Sequence, residues 1–266
     1  MKETLSNIRE HLQKEGFVYL CRWAYRRVRD KWYERRLGID THGFIQWDDL
    51  GEDPDSVDYE PIEYTYLNVI LDRCNIQAEQ DTFIDYGAGK GRPVIHAARR
   101  PFKKVIGVEL SSDLCAVANQ NVENAKSKLA CQDVEIVNMD ATRFQVPDDA
   151  SVIFFYNPFT GHLLESVAER IRESLERAPR KLTIAYVYPH WKQSDFFADF
   201  DWLTKRDELP GDPLEKCKVS FYESVVDVFT SAREQQSAAA TCTPLGGALP
   251  SGDIPVDPVP AEAATL

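Results

Sequence analysis

The chain has 266 residues, 43% of them hydrophobic, and a formal net charge of −12. That length holds one α/β domain with extensions and that content is ample for a core, while the negative charge argues against general binding to nucleic acid. No stretch approaches the ~20 apolar residues that span a bilayer. The apolar run from Gly16 to Cys21 is flanked by charges and has no small-residue cleavage site after it, so the expected location is the cytoplasm. Cys21, Cys74, Cys115, Cys131, Cys217 and Cys242 are scattered with no Cys-x-x-Cys pair, so they are expected to be reduced and not to hold a metal.

The charge is uneven. Residues 1–37 carry ten Lys/Arg against five Asp/Glu, a net of +5, which leaves −17 for the remainder of the −12 total. Residues 1–40 read as a basic helical extension. At about 100° per residue Phe17, Cys21, Tyr25, Val28 and Trp32 share one narrow face, with Arg22, Arg26 and Arg29 opposite. The expectation is a helix that packs its aromatic stripe on the domain and solvates its arginines. Trp23, lying among the basic residues, keeps two alternatives open: a membrane-surface helix, or a dock for an acidic partner. Residues 41–63 form an acidic segment containing Asp48, Asp49, Glu52, Asp53, Asp55, Asp58 and Glu60. It is expected to be an ordered loop, because Phe44, Ile45, Trp47 and Tyr59 need somewhere to bury. Its acids either attract a cationic substrate or form a solvated face.

A helix over 64–71 leads into the stretch on which the rest depends, Phe83-Ile84-Asp85-Tyr86-Gly87-Ala88-Gly89-Lys90-Gly91-Arg92-Pro93. An apolar strand ends in a carboxylate, passes three glycines at alternate positions and meets a proline suited to a helix's first turn. Such a loop offers bare backbone amides and a helix N-terminus to a ligand. The dinucleotide fingerprint wants glycine where Arg92 stands; the S-adenosylmethionine pattern Asp/Glu-x-Gly-x-Gly-x-Gly is filled by Asp85, Gly87, Gly89 and Gly91. A tight turn without a ligand is the plain alternative. The second strand, Lys104 to Leu110, ends in Glu109, near the ~20-residue spacing that sets an acid against a ribose. The third, Val134 to Met139, ends in Asp140 and Ala141, where an acid faces an adenine amino group and Thr142 and Phe144 can flank the ring. The fourth, Val152 to Tyr156, runs into Asn157-Pro158-Phe159. A helix over 162–178, a fifth strand over 181–188 and an antiparallel pair over 202–209 and 218–229 complete residues 64–230, and the Ala/Pro-rich tail 231–266 is expected to be disordered.

These loops and strand ends resemble a class I, seven-stranded S-adenosylmethionine-dependent methyltransferase over residues 60–229. The resemblance implies a Rossmann-like, doubly wound, mostly parallel sheet with an antiparallel last strand. It implies S-adenosylmethionine as cofactor, held by Asp85, Gly87, Ala88, Gly89, Gly91, Glu109, Leu110, Asp140, Ala141 and Asn157. The segment before the first strand often closes over the cofactor in such enzymes, which makes Tyr59, Glu60, Pro61 and Tyr64 lid candidates. The first loop, Gly107-Val108-Glu109-Leu110 and Asn157-Pro158-Phe159 are similar to protein-lysine methyltransferases of the non-SET type, whose fourth strand ends in Asn-Asn-Phe where this chain has Pro158. The chain also resembles bacterial methyltransferase-like proteins without an assigned substrate.

The expected reaction is transfer to nitrogen, on a protein lysine or a small amine, with Asn157, Pro158 and Phe159 at the acceptor. Asn157 and Pro158 match the Asn/Asp-Pro-Pro-Tyr motif of amino-group methyltransferases; Phe159 and Thr160 depart from it, which weighs against base methylation. A strand-ending turn is the plain reading of the same three residues. His162, His190, Tyr156 and Tyr188 fall at the same sheet edge, and His96 reads as structural. Two other functions stay open: a nicotinamide-dependent oxidoreductase on the same sheet, and a non-catalytic cofactor-binding module that docks through residues 1–37.

Overall fold

The computed structural model describes residues 16–44, 57, 59–189, 195–210 and 217–230. Seven strands form one sheet in the order β3-β2-β1-β4-β5-β7-β6. They are β1 (Thr82–Tyr86), β2 (Lys104–Glu109), β3 (Val134–Asn138), β4 (Ala150–Tyr156), β5 (Thr183–Pro189), β6 (Leu203–Leu209) and β7 (Cys217–Ser224). β1 pairs in parallel with β2 and β4, β2 with β3, and β4 with β5. β7 inserts between β5 and β6 and runs antiparallel to both. The fold is thus the expected Rossmann-like sheet. The last predicted strand is shorter than its alternation suggested: it ends at Ser224, and residues 226–230 turn into a helix.

β1 and β5 are buried along their whole lengths, as strands covered on both faces must be. One face packs on α2 (Tyr64–Asp72), α3 (Arg92–Ala98) and α4 (Ser112–Ala125), around Leu67, Ile70, Phe83, Val94, Val105 and Phe154. The other packs on α5 (Gly161–Arg177), around Ile84, Tyr86, Phe155, Val167, Ile171 and Tyr186. Local signals fix the ends: Glu63 accepts from the Thr65 and Tyr66 amides at 2.9 Å to cap α2, and the Ser111 side chain caps α4. Cys74, Cys115, Cys131 and Cys217 are buried and in no disulfide, while Cys21 is exposed. No metal-ligating cluster is found among the described residues, nor any helix long and apolar enough to cross a membrane.

The N-terminal helix α1 (Phe17–Leu37) overturns one expectation. Its buried residues are Asp30, Glu34 and Leu37, whereas Phe17, Tyr25, Val28 and Trp32 remain 53 to 73% exposed. The aromatic stripe therefore faces outward, not onto the domain. The cause is Arg92, which is 2% exposed and would be costly as an isolated buried cation. The acid-bearing face of α1 turns inward to meet it. Arg29, expected opposite the stripe in solvent, pairs with Glu63. Phe44 is exposed rather than buried. Ile45, Trp47 and the acids from Asp48 to Asp58, together with His190 and residues 231–266, lie outside the described residues.

His96 on α3 is structural, as expected: it is buried, and its Nε2 meets Asn68 Oδ1 on α2 at 2.7 Å. Burial, then the nearby Arg99, Arg100 and Arg92 charges, lower its pKa from 6.5 to about 3. Between those values the unfolded chain binds a proton that the folded protein refuses, so this residue makes stability fall as pH falls. At pH 5 the loss relative to neutrality is about 2 kcal/mol. Urea unfolding of wild type and His96→Gln at pH 7 and pH 5 checks this. The variant is expected to lose less on acidification by about that amount; identical pH dependence would exclude the assignment.

Candidate active site

A crevice of about 1060 Å3, counting its open mouth, lies along the carboxyl ends of β1, β2, β3 and β4. In an open α/β sheet this is the edge where ligands bind. Of the residues singled out in the sequence, Gly87, Ala88, Glu109, Leu110, Asp140, Ala141, Asn157, Pro158 and Phe159 line it together, while Asp85, Gly89 and Gly91 do not. Tyr59, Glu60 and Tyr156 line it too. Tyr188 does not: it is buried, stacked on Tyr186, with its hydroxyl 3.5 Å from Ser220 Oγ. His162 is exposed at the start of α5.

Close approach explains two of the glycines. A Cβ on Gly87 would stand 2.4 Å from Pro158 Cβ, and one on Gly89 would stand 2.2 Å from a Tyr59 ring carbon, both at positive φ. The loop is thus clamped between the fourth-strand turn and the Tyr59 ring. Glu109 draws the two first strands together: Oε2 accepts from the Gly89 amide at 2.8 Å and Oε1 from the Ser111 amide at 2.9 Å. Burial pushes its carboxyl up, against those amides. Asp85 is 1% exposed, its Oδ2 is buried without a hydrogen-bond partner, and burial followed by the Glu109 charge raises its pKa well above the usual carboxylate value. An unsatisfied buried carboxylate of this kind calls for a cationic or donor group nearby.

Asp140 accepts from the Thr142 amide and hydroxyl, both at 2.8 Å, and so caps the turn that forms one wall. Leu110 and Met139 stand 50% and 40% exposed on the rim and give it an apolar surface. At the other end Asn157 has φ 43, one of three non-glycine residues with positive φ among the described residues. Its backbone amide is held by the Val187 carbonyl at 2.9 Å. Strained backbone of this kind persists where the surroundings over-determine it, and it clusters at active sites. Phe159 is held edge-on against Tyr86 and Phe155, so it serves as a wall of the crevice.

Sequence reasoning missed Arg92 as a hub. Its Nε donates to Thr41 Oγ1 at 2.7 Å, its NH1 to Ile62 O at 2.7 Å and to Asp30 Oδ2 at 3.1 Å, and its NH2 to Glu34 Oε1 at 3.1 Å. The guanidinium also lies 4.5 Å over the Tyr64 ring. Tyr64, a predicted lid residue, is instead fully buried beneath α1, stacked on Tyr33. The covering segment is tied down beside it: Tyr59 donates to Thr41 O at 2.7 Å, and Lys90 to His42 O at 2.5 Å. Only the buried position of Arg92, one residue past the loop, could have signalled this, and burial is not written locally.

Fold, loop and crevice have the form of a class I S-adenosylmethionine-dependent methyltransferase. Residues 83–181 match the family model described as a methyltransferase domain, and S-adenosylmethionine is the cofactor of this class. No curated protein matches the chain. Among solved structures the chain is similar to an RNA methyltransferase from Salinibacter ruber in complex with S-adenosyl-L-homocysteine, at 22% identity and TM-score 0.46 over 62% of this chain and 94% of that one. It is similar to TrmN from Thermus thermophilus at 15% identity and TM-score 0.49, covering 62% of this chain and 49%, about half, of that one. An rRNA methylase from Streptococcus thermophilus stands at 15% identity and TM-score 0.45, over 62% of this chain and 98% of that one. Likeness at this distance does not carry the neighbours' substrates over to this chain.

Proposed function

We propose that the protein methylates an amine nitrogen, with a protein lysine or a small amine as acceptor. The observation that carries this is the charge of the crevice: Glu60, Glu109 and Asp140 line it, and its lining cation, Arg92, is already held by Asp30 and Glu34. An acidic mouth draws in cations.

The residues present fit the cofactor. Glu109 is placed for the ribose hydroxyls and Asp140 for the adenine amino group, with Leu110, Ala141 and Met139 flanking the ring. The backbone of Gly87 and Ala88 serves the cationic remainder, with Gly89, Gly91 and the buried Asp85 shaping the loop behind them. Bound S-adenosylmethionine supplies a methyl group on a sulfonium, already a strong alkylating centre, so positioning and desolvation supply most of the catalysis. The amine must be neutral when it attacks. Glu60 attracts it charged, and the apolar walls of Tyr59, Phe159 and Leu163 favour its neutral form by desolvation. The Asn157 side-chain carbonyl accepts an N–H bond and turns the nitrogen lone pair toward the methyl group, and the Pro158 carbonyl offers a second acceptor.

Transfer of labelled methyl to lysine-bearing peptides, polyamines and RNA tests this reading. Label is expected on the amines, and Asn157→Ala is expected to lower kcat/KM by roughly 10². Label on RNA with none on any amine would overturn it.

A further inference from the structure

We propose that α1 is a docking face for an anionic lipid surface. The outward side of this 21-residue helix carries Phe17 at 73%, Val18 at 70%, Tyr25 at 65%, Val28 at 70% and Trp32 at 53% exposure. These side chains line one face along nearly the whole helix. Exposed Arg22, Arg27, Lys31, Arg35 and Arg36 flank them, and both acids of the helix, Asp30 and Glu34, are buried under it. Arg27 and Arg36 lie over the rings of Trp23 and Trp32 at 5.0 and 5.3 Å. An apolar stripe rimmed by arginines and tryptophan, with no exposed acid, is what an interfacial helix presents to headgroups and acyl chains.

Charge selects the occupant. Residues 1–37 carry +5 and the rest of the chain −17, so an anionic surface attracts this face and repels the others, which fixes one orientation. Two copies meeting face to face would set these arginines against each other. Nucleic acid would satisfy the cations but leave Val18 and Val28 without any apolar environment, and aliphatic side chains contribute only when removed from water. The inward acids that hold Arg92 are what turn this stripe outward. Docking therefore follows from the same cluster that braces the cofactor loop.

The test is flotation of the full chain with phosphatidylcholine vesicles and with vesicles containing phosphatidylglycerol, in low and high salt, alongside tryptophan fluorescence. Binding is expected only with the anionic vesicles, with a blue shift. It should weaken with salt and fall at least about tenfold in Val28→Asp/Trp32→Asp. S-adenosylhomocysteine affinity should stay unchanged in that variant, which shows that it is folded. No binding to either vesicle, or equal binding by the variant, would overturn the proposal. So would a concentration-dependent dimer or an RNA complex that the same variant abolishes while vesicles go unbound.

Discussion

Replacing Arg92 with methionine is expected to cost about 3–5 kcal/mol of unfolding free energy, read from urea denaturation, because it leaves two buried carboxylates without their cation. Arg92 is 2% exposed, and the side chains of its partners Asp30 and Glu34 are 10% and 7% exposed. Burial already pushes Asp30 up more strongly than Arg92 and Arg29 pull it down, so losing Arg92, the larger of the two opposing charges, leaves the desolvation of that acid still less offset. A triple variant, Asp30→Asn/Glu34→Gln/Arg92→Met, removes all three of these charges together and should recover most of the loss. A loss below about 1 kcal/mol in the single variant, the level of an exposed pair, would show that the cluster does not brace the fold. Arg92 also opens α3 immediately after Gly91, so the single variant should weaken cofactor binding along with stability.

The second large effect is expected from Glu109→Ala. That carboxylate holds the Gly89 and Ser111 amides and lines the crevice, so its removal frees the loop and, on the proposed reading, takes away the acceptor for two ribose hydroxyls. Each hydrogen bond to a charged group contributes about 1.5–3 kcal/mol, so two of them correspond to roughly 10² or more in affinity. Asp85 works against that simple sum. Its raised pKa is partly due to the Glu109 charge, so the variant relieves Asp85 and offsets part of the stability lost with the two amide hydrogen bonds. Affinity should thus fall far more than the unfolding midpoint of the apoprotein. A midpoint that collapsed with affinity would make Glu109 a structural residue.

What the sequence made legible is what local chemistry dictates. The loop from Phe83 to Pro93, Glu109 at the end of β2 and Asn157 after β4 announce themselves through apolar runs broken by glycine, carboxylate and proline at fixed offsets. The alternation over 202–209 and 218–229 showed two antiparallel strands, yet not that β7 would lie between β5 and β6, since pairing order is a property of the assembled sheet. The orientation of α1 was misread for a deeper reason. Helical periodicity ranks faces by hydrophobicity, and here the face chosen for burial is the one bearing Asp30 and Glu34, because a cation sixty residues away in the chain needed them. Arg92 itself registered only as a departure from a dinucleotide pattern. Tyr64 was legible as an aromatic near the loop, and its place beneath Tyr33 and Arg92 depended on that same turn of the helix.

The most direct test of the account is calorimetric titration of the full chain with S-adenosylmethionine, S-adenosylhomocysteine and NADH, repeated on Glu109→Ala. The crevice predicts micromolar binding of both sulfur compounds, no heat from NADH, and loss of binding in the variant. Absence of binding by either sulfur compound to the wild-type protein, or tight binding of NADH, would contradict it.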